Sequence, residues 1–154
     1  MKNIFKHAYF LTVIVFILST LSCSFVSSKR MNWYTYKQGI ELNKKEGKKI
    51  FLYFYADRCT YCKKMEQETF NDYSVASYIN DNFIPIKVNS DREVKTALDF
   101  GVKGLPTTWF IAENGERISS LPGYIPPKRL LNILKYINTD SFKEMAFRKF
   151  VKNM

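Results

Sequence analysis

Residues 50–68 read I-F-L-Y-F-Y-A-D-R-C-T-Y-C-K-K-M-E-Q-E, and this stretch limits the possible folds more than any other. The six apolar or aromatic residues Ile50 to Tyr55 are too few for an ordinary helix and rich in aromatics, which predicts a strand buried on both faces. The run stops at Ala56-Asp57-Arg58. Cys59 and Cys62 follow, and Lys63 to Glu68 are all good helix formers. A buried strand therefore delivers two thiols to the start of a helix. Unpaired backbone N–H groups and the helix dipole stabilise negative charge there, so Cys59 is expected to ionise more readily than a free cysteine. The thiolate is the nucleophile of disulfide exchange, and a second thiol three residues on is close enough to resolve a mixed disulfide.

Other uses of this pair fit less well. A permanent disulfide, or half of a metal site, is the bland alternative. However, the one histidine of the chain, His7, lies in the N-terminal apolar region, so the further ligands of a zinc site are missing and no metal is expected. Haem attachment needs a histidine after the second cysteine, where Lys63 stands. The formal charge of +10, from 24 Lys and Arg against 14 Asp and Glu, favours acidic partners or anionic membrane surfaces. Its cations are scattered through pairs such as Lys44-Lys45, Lys48-Lys49 and Lys63-Lys64, which reads as a solvated basic surface. They form neither the dense stripe nor a recognised motif of a nucleic-acid binder, so no nucleic-acid partner is expected.

The chain opens like an exported protein. Residues 1–22 carry Lys2 and Lys6, an apolar run from Ala8 to Leu18, and Ser19-Thr20-Leu21-Ser22, the pattern of a cleaved secretory signal. The apolar run is short for a spanning helix. Leu21-Ser22-Cys23 resembles a bacterial lipoprotein signal, in which Cys23 becomes a lipid-bearing N-terminus, although Thr20 stands where Leu is commoner. Ordinary cleavage or an uncleaved signal anchor is the alternative. Residues 23–31 read as a tether and residues 32–138 as one domain.

Within that domain Trp33, Tyr36 and Ile40 follow helical spacing from Asn32, with Gly47 ending the helix and Trp33 read as core. Residues 71–82 continue as helix, capped by Asn71 or Ser74, with Val75, Tyr78 and Ile79 on one face. Phe83 to Asn89 is a second strand in which Pro85 must sit where its missing N–H is not needed. Asp91 to Phe100 is a short helix stopped by Gly101. Thr107 to Ile111 and Arg117 to Leu121 form a hairpin around Asn114-Gly115, a pair that supplies the positive φ angles of tight turns. The Leu105-Pro106 bond before it is a candidate cis peptide. Pro126-Pro127 opens a helix whose apolar face is Leu130, Leu131, Leu134 and Ile137. Residues 139–154 form a basic amphipathic tail, either packed on its own domain or lying on an anionic membrane or a partner.

Taken together, the buried strand, Cys59-Thr60-Tyr61-Cys62 at a helix start, and Gly104-Leu105-Pro106-Thr107 ahead of a hairpin and last helix resemble the thioredoxin superfamily. The likeness covers about residues 32–138. Tyr55-Ala56-Asp57-Arg58-Cys59, Cys62-Lys63-Lys64-Met65-Glu66 and Thr69-Phe70 resemble exported members related to the C-terminal domain of the DsbD reductase. The resemblance implies an α/β thioredoxin fold with a central mixed sheet flanked by helices. It implies thiol:disulfide exchange without a cofactor beyond the Cys59–Cys62 disulfide, with Cys59 attacking and Cys62 resolving. Leu105 and Pro106 would form a cis-proline loop that binds an extended substrate, with Arg58 and Tyr61 as further contacts. The partners implied are exported proteins carrying thiols or disulfides, and a membrane electron-donor reductase, with the chain itself held at the membrane by its N-terminal lipid or anchor. Two positions depart from the family pattern. Arg58 replaces the usual Trp before the first cysteine, and Tyr53 stands where a buried acid helps to deprotonate the second. Lys87 matches a lysine found near that acid, and with the acid gone, water, Asp57 or Glu66 are the candidates for proton transfer at Cys62. Reduction of exported disulfides is the expected direction. A dithiol oxidase or isomerase and a non-catalytic client-binding module are the alternatives.

Overall fold

The computed structural model describes residues 30–154. The chain runs α1 (Tyr36–Glu46), β1 (Ile50–Tyr55), α2 (Thr60–Lys64, continued by a π-helical turn Met65–Thr69), α3 (Tyr73–Asn82), β2 (Ile84–Asn89) and α4 (Val94–Asp99). It goes on through β3 (Thr107–Ile111), β4 (Arg117–Pro122), α5 (Pro127–Asn138), a 3₁₀ turn (Ser141–Lys143) and α6 (Phe147–Lys152). The strand order is β2-β1-β3-β4, with β1 parallel to β2 and antiparallel to β3, and β3 antiparallel to β4. This is the mixed sheet flanked by helices of the thioredoxin fold.

Strand periodicity divides the core. Phe51 and Tyr53 face one side of the sheet with Met65, Val75, Ile79 and Leu134 of α2, α3 and α5. Ile50, Leu52 and Phe54 face the other with Ile86 and Val88, Phe100 after α4, and Ile40 of α1. Both sides of β1 are covered, which is why its sequence is continuously apolar. Ile84 and Ser90 N–H donate inward to Lys49 and Tyr55 carbonyls, whereas Lys87 N–H donates outward to Tyr34. Pro85 shares the outward orientation of Lys87, so its missing N–H costs no ladder bond, and its carbonyl accepts from Tyr34 N–H at 2.9 Å.

Several local expectations change. Trp33 precedes α1 instead of belonging to it, and packs against Phe51, Tyr53 and Phe70, across the sheet from Tyr36 and Ile40. The helix starts at Tyr36 because Thr35 and Gln38 close a capping box. The helical run breaks after α2, and Asp72, not Asn71 or Ser74, caps α3 by accepting from Val75 N–H at 3.0 Å. In the hairpin turn only Gly115 has a positive φ, +86°, while the Asn114 side chain accepts from Glu116 N–H. Lys49 is buried at 4% exposure, not solvated. Its ammonium lies 2.8 Å from Glu113 and 3.2 Å from Asp140, joining the start of β1 to the hairpin and the end of α5. The tail lies on its own domain: Tyr136 of α5 contacts the rings of Phe142, Phe147 and Phe150 and donates to the Met145 carbonyl.

Candidate active site

The end of β1 carries the site. After Tyr55 the chain turns so that Cys59 N–H donates to the Ala56 carbonyl, and Cys59 becomes the residue capping α2. Asp57 is tied down in this turn, accepting from Asn89 at 3.1 Å and Arg92 at 3.0 Å. Cys59 and Cys62 form a disulfide with Cα atoms 5.2 Å apart. Cys62 N–H donates to Cys59 Sγ at 3.1 Å, so the free donors of the helix start point at the first sulfur. The two sulfurs differ in access: Cys62 is 1% exposed, whereas Cys59 is half-buried at the edge of the core.

Register brings the proline loop to the same end. Phe54 pairs with Thr107, so Pro106 comes level with Tyr55, and the Leu105–Pro106 peptide is cis. Thr107 Oγ1 donates to the Gly104 carbonyl and Gly123 N–H to the Pro106 carbonyl, each at 2.7 Å. Leu105 lies against the same apolar cluster as the two cysteines, and its backbone has no partner among the described residues. Arg58 is exposed and unpaired among the described residues, and Tyr61 is 63% exposed between the cysteines.

Behind the disulfide, Tyr53 is fully buried and its hydroxyl donates to the Cys62 carbonyl at 3.3 Å. Burial first, then the charges of Glu66 and Tyr55, push the Tyr53 phenol far above its ordinary range, so it stays protonated. Lys87 is accounted for: it pairs with Glu66 at 2.9 Å and sits over the Tyr55 ring.

Two further contacts gave no signal in the sequence because their partners are 56 residues apart. The buried Thr69 hydroxyl donates to the Ile125 carbonyl at 2.7 Å, and the Tyr124 hydroxyl donates to Glu68. Lys64 lies over the Tyr124 ring. Together these bonds hold the dithiol helix to the segment that follows the proline-loop contact at Gly123. Among the described residues no cluster of three or more His, Cys, Asp or Glu side chains is placed to hold a metal ion.

Comparison with known proteins agrees with this geometry. Residues 36–138 match the family model of the thioredoxin-like domain. The thiol:disulfide interchange protein DsbD of Photorhabdus laumondii is 32% identical over 111 residues, covering 69% of this chain but 19% of DsbD. The chain thus spans about a fifth of that relative's length. A thioredoxin from Thermus thermophilus superposes with a TM-score of 0.64 at 27% identity, covering 71% of this chain and 87% of that one. The oxidised C-terminal domain of DsbD from Neisseria meningitidis gives 0.56 at 25% identity, covering 66% and 91%. With the fold, the cysteine pair and the matched span in agreement, the chain belongs to the thioredoxin-like family and resembles the DsbD group within it.

Proposed function

We propose that the protein is an extracytoplasmic thiol:disulfide oxidoreductase that reduces disulfides of exported proteins. The observation that carries the reading is the unequal access of the two sulfurs: a partner can reach Cys59 but not Cys62. In the reduced chain the Cys59 thiolate attacks one sulfur of a substrate disulfide, forming a mixed disulfide and releasing the other sulfur as a thiolate. Cys62 then loses its proton and attacks Cys59 Sγ. The substrate leaves as a dithiol and the chain keeps the Cys59–Cys62 disulfide, two electrons having passed to the substrate. The hydrogen bond from Cys62 N–H favours negative charge on Cys59, and Arg58 beside it adds a cation. Leu105 and Pro106 offer the backbone edge along which an extended substrate lies, with Arg58 and Tyr61 on its rim. A membrane-bound electron donor returns the chain to its dithiol form in this reading, and the likeness to DsbD, a thiol:disulfide interchange protein, supports exchange with partner proteins. Export and tethering rest on residues 1–29, which lie outside the described residues.

The test is the reduction potential of the Cys59/Cys62 couple, measured in glutathione buffers by the mass shift of the disulfide. A value near about −270 mV fits a reductase, and one near about −120 mV turns the assignment round to a dithiol oxidase. Cys59→Ser abolishes turnover, while Cys62→Ser accumulates mixed disulfides. A chain that binds clients equally well with Cys59→Ser, and whose cellular role survives, is a binding module instead.

A further inference from the structure

Charge is unevenly spread along the described chain. Residues 30–126 hold fourteen Lys and Arg against twelve Asp and Glu, whereas residues 127–154 hold seven against two. Most of the net positive charge of the described residues therefore sits on α5, α6 and the turn between them. Lys128, Arg129, Arg148, Lys149 and Lys152 are exposed, and none meets a carboxylate among the described residues. Lys128 and Arg129 stand in the first turn of α5, which has no acidic residue and no side-chain cap. The helix dipole opposes cations at that end, so their placement weakens the helix locally. Folding does not explain them, which points to something outside the chain.

The same surface has an apolar component. An open groove between α5 and α6 is lined by Pro126, Phe147 and Val151 and by the cations Lys128, Arg129 and Arg148. Val151 is 38% exposed and Met154 60%. The aromatic rings of the tail are committed to Tyr136, which leaves no exposed ring here on which a nucleic-acid base can stack.

We propose that the α5–α6 face docks on the surface of an anionic phospholipid bilayer, with Val151 and Met154 entering the interface and the five unpaired cations meeting lipid phosphates. An aliphatic strip flanked by cations is the surface that such membranes recognise, binding through buried apolar area plus attraction to anionic headgroups. The docking does not depend on the redox chemistry or on how residues 1–29 meet a membrane. None of the helices among the described residues is long and apolar enough to cross a bilayer, so this contact is peripheral.

The test is hydrogen exchange of the α6 amides in the full chain, bound to vesicles of phosphatidylcholine alone or of phosphatidylcholine with an equal part of phosphatidylglycerol. Residues 1–29 carry Lys2, Lys6 and Lys29, whose own attraction to the anionic vesicles is unchanged by substitutions in α5 and α6 and is separated by them. Each cation near an anionic surface strengthens attachment about fivefold, so α6 exchanges at least about tenfold more slowly on the phosphatidylglycerol vesicles. Molar salt removes the difference. The combined variant Lys128→Glu, Arg148→Glu, Lys152→Glu loses it, with unchanged exchange in β1 showing that the fold is intact. The milder pair Arg148→Gln, Lys152→Gln loses part of it. Equal exchange on the two vesicle types overturns the proposal, as does slowing that survives the triple reversal. Protection by polyglutamate but not by anionic vesicles also overturns it, and assigns the face to an acidic protein.

Discussion

Lys49→Met removes one charge from the interior and leaves the hydrocarbon stem nearly unchanged in volume. In the native chain the ammonium is 4% exposed, 2.8 Å from Glu113 and 3.2 Å from Asp140. Taking one partner from a buried ion pair costs about 3 to 5 kcal/mol, because the other charge is left buried and unpaired. Here the two carboxylates are 47% and 42% exposed and rehydrate, which discounts that range to about 2 to 3 kcal/mol. The pH dependence has a definite sign. Burial opposes ionisation of Glu113 and Asp140, yet contacts with Lys49, joined by a backbone hydrogen bond at Glu113 and by Lys143 at Asp140, outweigh it and hold both below the ordinary carboxylate range. Burial likewise opposes the charge on Lys49, and its two carboxylates outweigh it and raise its pKa. The stabilisation is therefore complete above the unfolded carboxylate values of about 4, and is lost as pH falls through the lower folded ones. On the alkaline side it is complete below the unfolded lysine value of about 10.4 and is lost as pH rises from there through the raised folded one. Urea unfolding of the oxidised wild type and variant at pH 7 and pH 3 reads this directly. The gap is about 2 to 3 kcal/mol at pH 7 and smaller at pH 3. The Cys59/Cys62 potential does not move, since β1 separates the two sites by about 20 Å. A gap below about 0.5 kcal/mol at pH 7, or one undiminished at pH 3, refutes the reasoning.

Gly39→Ala tests the packing of α1 on β2. A Cβ there runs into the buried side chain of Ile86, so overpacking of about 1 to 3 kcal/mol outweighs a helix-propensity gain of about 1 kcal/mol, and the denaturation midpoint falls. Thr69→Val keeps the shape but leaves the Ile125 carbonyl without its donor, costing about 1 to 3 kcal/mol by the same assay. Because Thr69 ties the dithiol helix to the segment after Gly123, hydrogen exchange in residues 123–125 also speeds up in that variant, whereas exchange in β2 does not.

Much of the fold was legible because its signals are local. The unbroken apolar run of β1, the cysteines at a helix start, Pro126-Pro127 opening α5 and the Asn114-Gly115 turn each act within a few residues. What the sequence hid depends on partners distant along the chain. Lys49 reads as one half of an ordinary basic pair until the hairpin and the end of α5 bring Glu113 and Asp140 to it. Trp33 fits the helical spacing of Tyr36 and Ile40, but the bridge from Tyr34 to Ile86 keeps the backbone extended there and turns Trp33 to the other face of the sheet. Asp72 and not Asn71 or Ser74 caps α3 because the chain leaves the helix after the π-helical turn Met65–Thr69 and is extended at Asp72, directly before Tyr73.

The site divides in the same way. The cysteine pair and Leu105-Pro106 are visible as motifs, yet the consequence of Tyr53 depends on geometry. A residue in that position that is to receive the Cys62 proton must be able to lose its own near neutral pH. Tyr53 cannot: burial and the neighbouring Glu66 charge keep its phenol protonated, and its hydroxyl is engaged as a donor to the Cys62 carbonyl. Its place in the proposed exchange is to hold the start of α2, not to move a proton. The two carboxylates the sequence offered are also distinguishable. Asp57 is bound into the turn by Asn89 and Arg92, whereas Glu66 lies close enough to Tyr53 to act on its ionisation and is held by Lys87. In the proposed exchange Tyr53 therefore takes no part in moving the Cys62 proton, and Lys87 finds its partner in Glu66, on the helical segment that carries the cysteines.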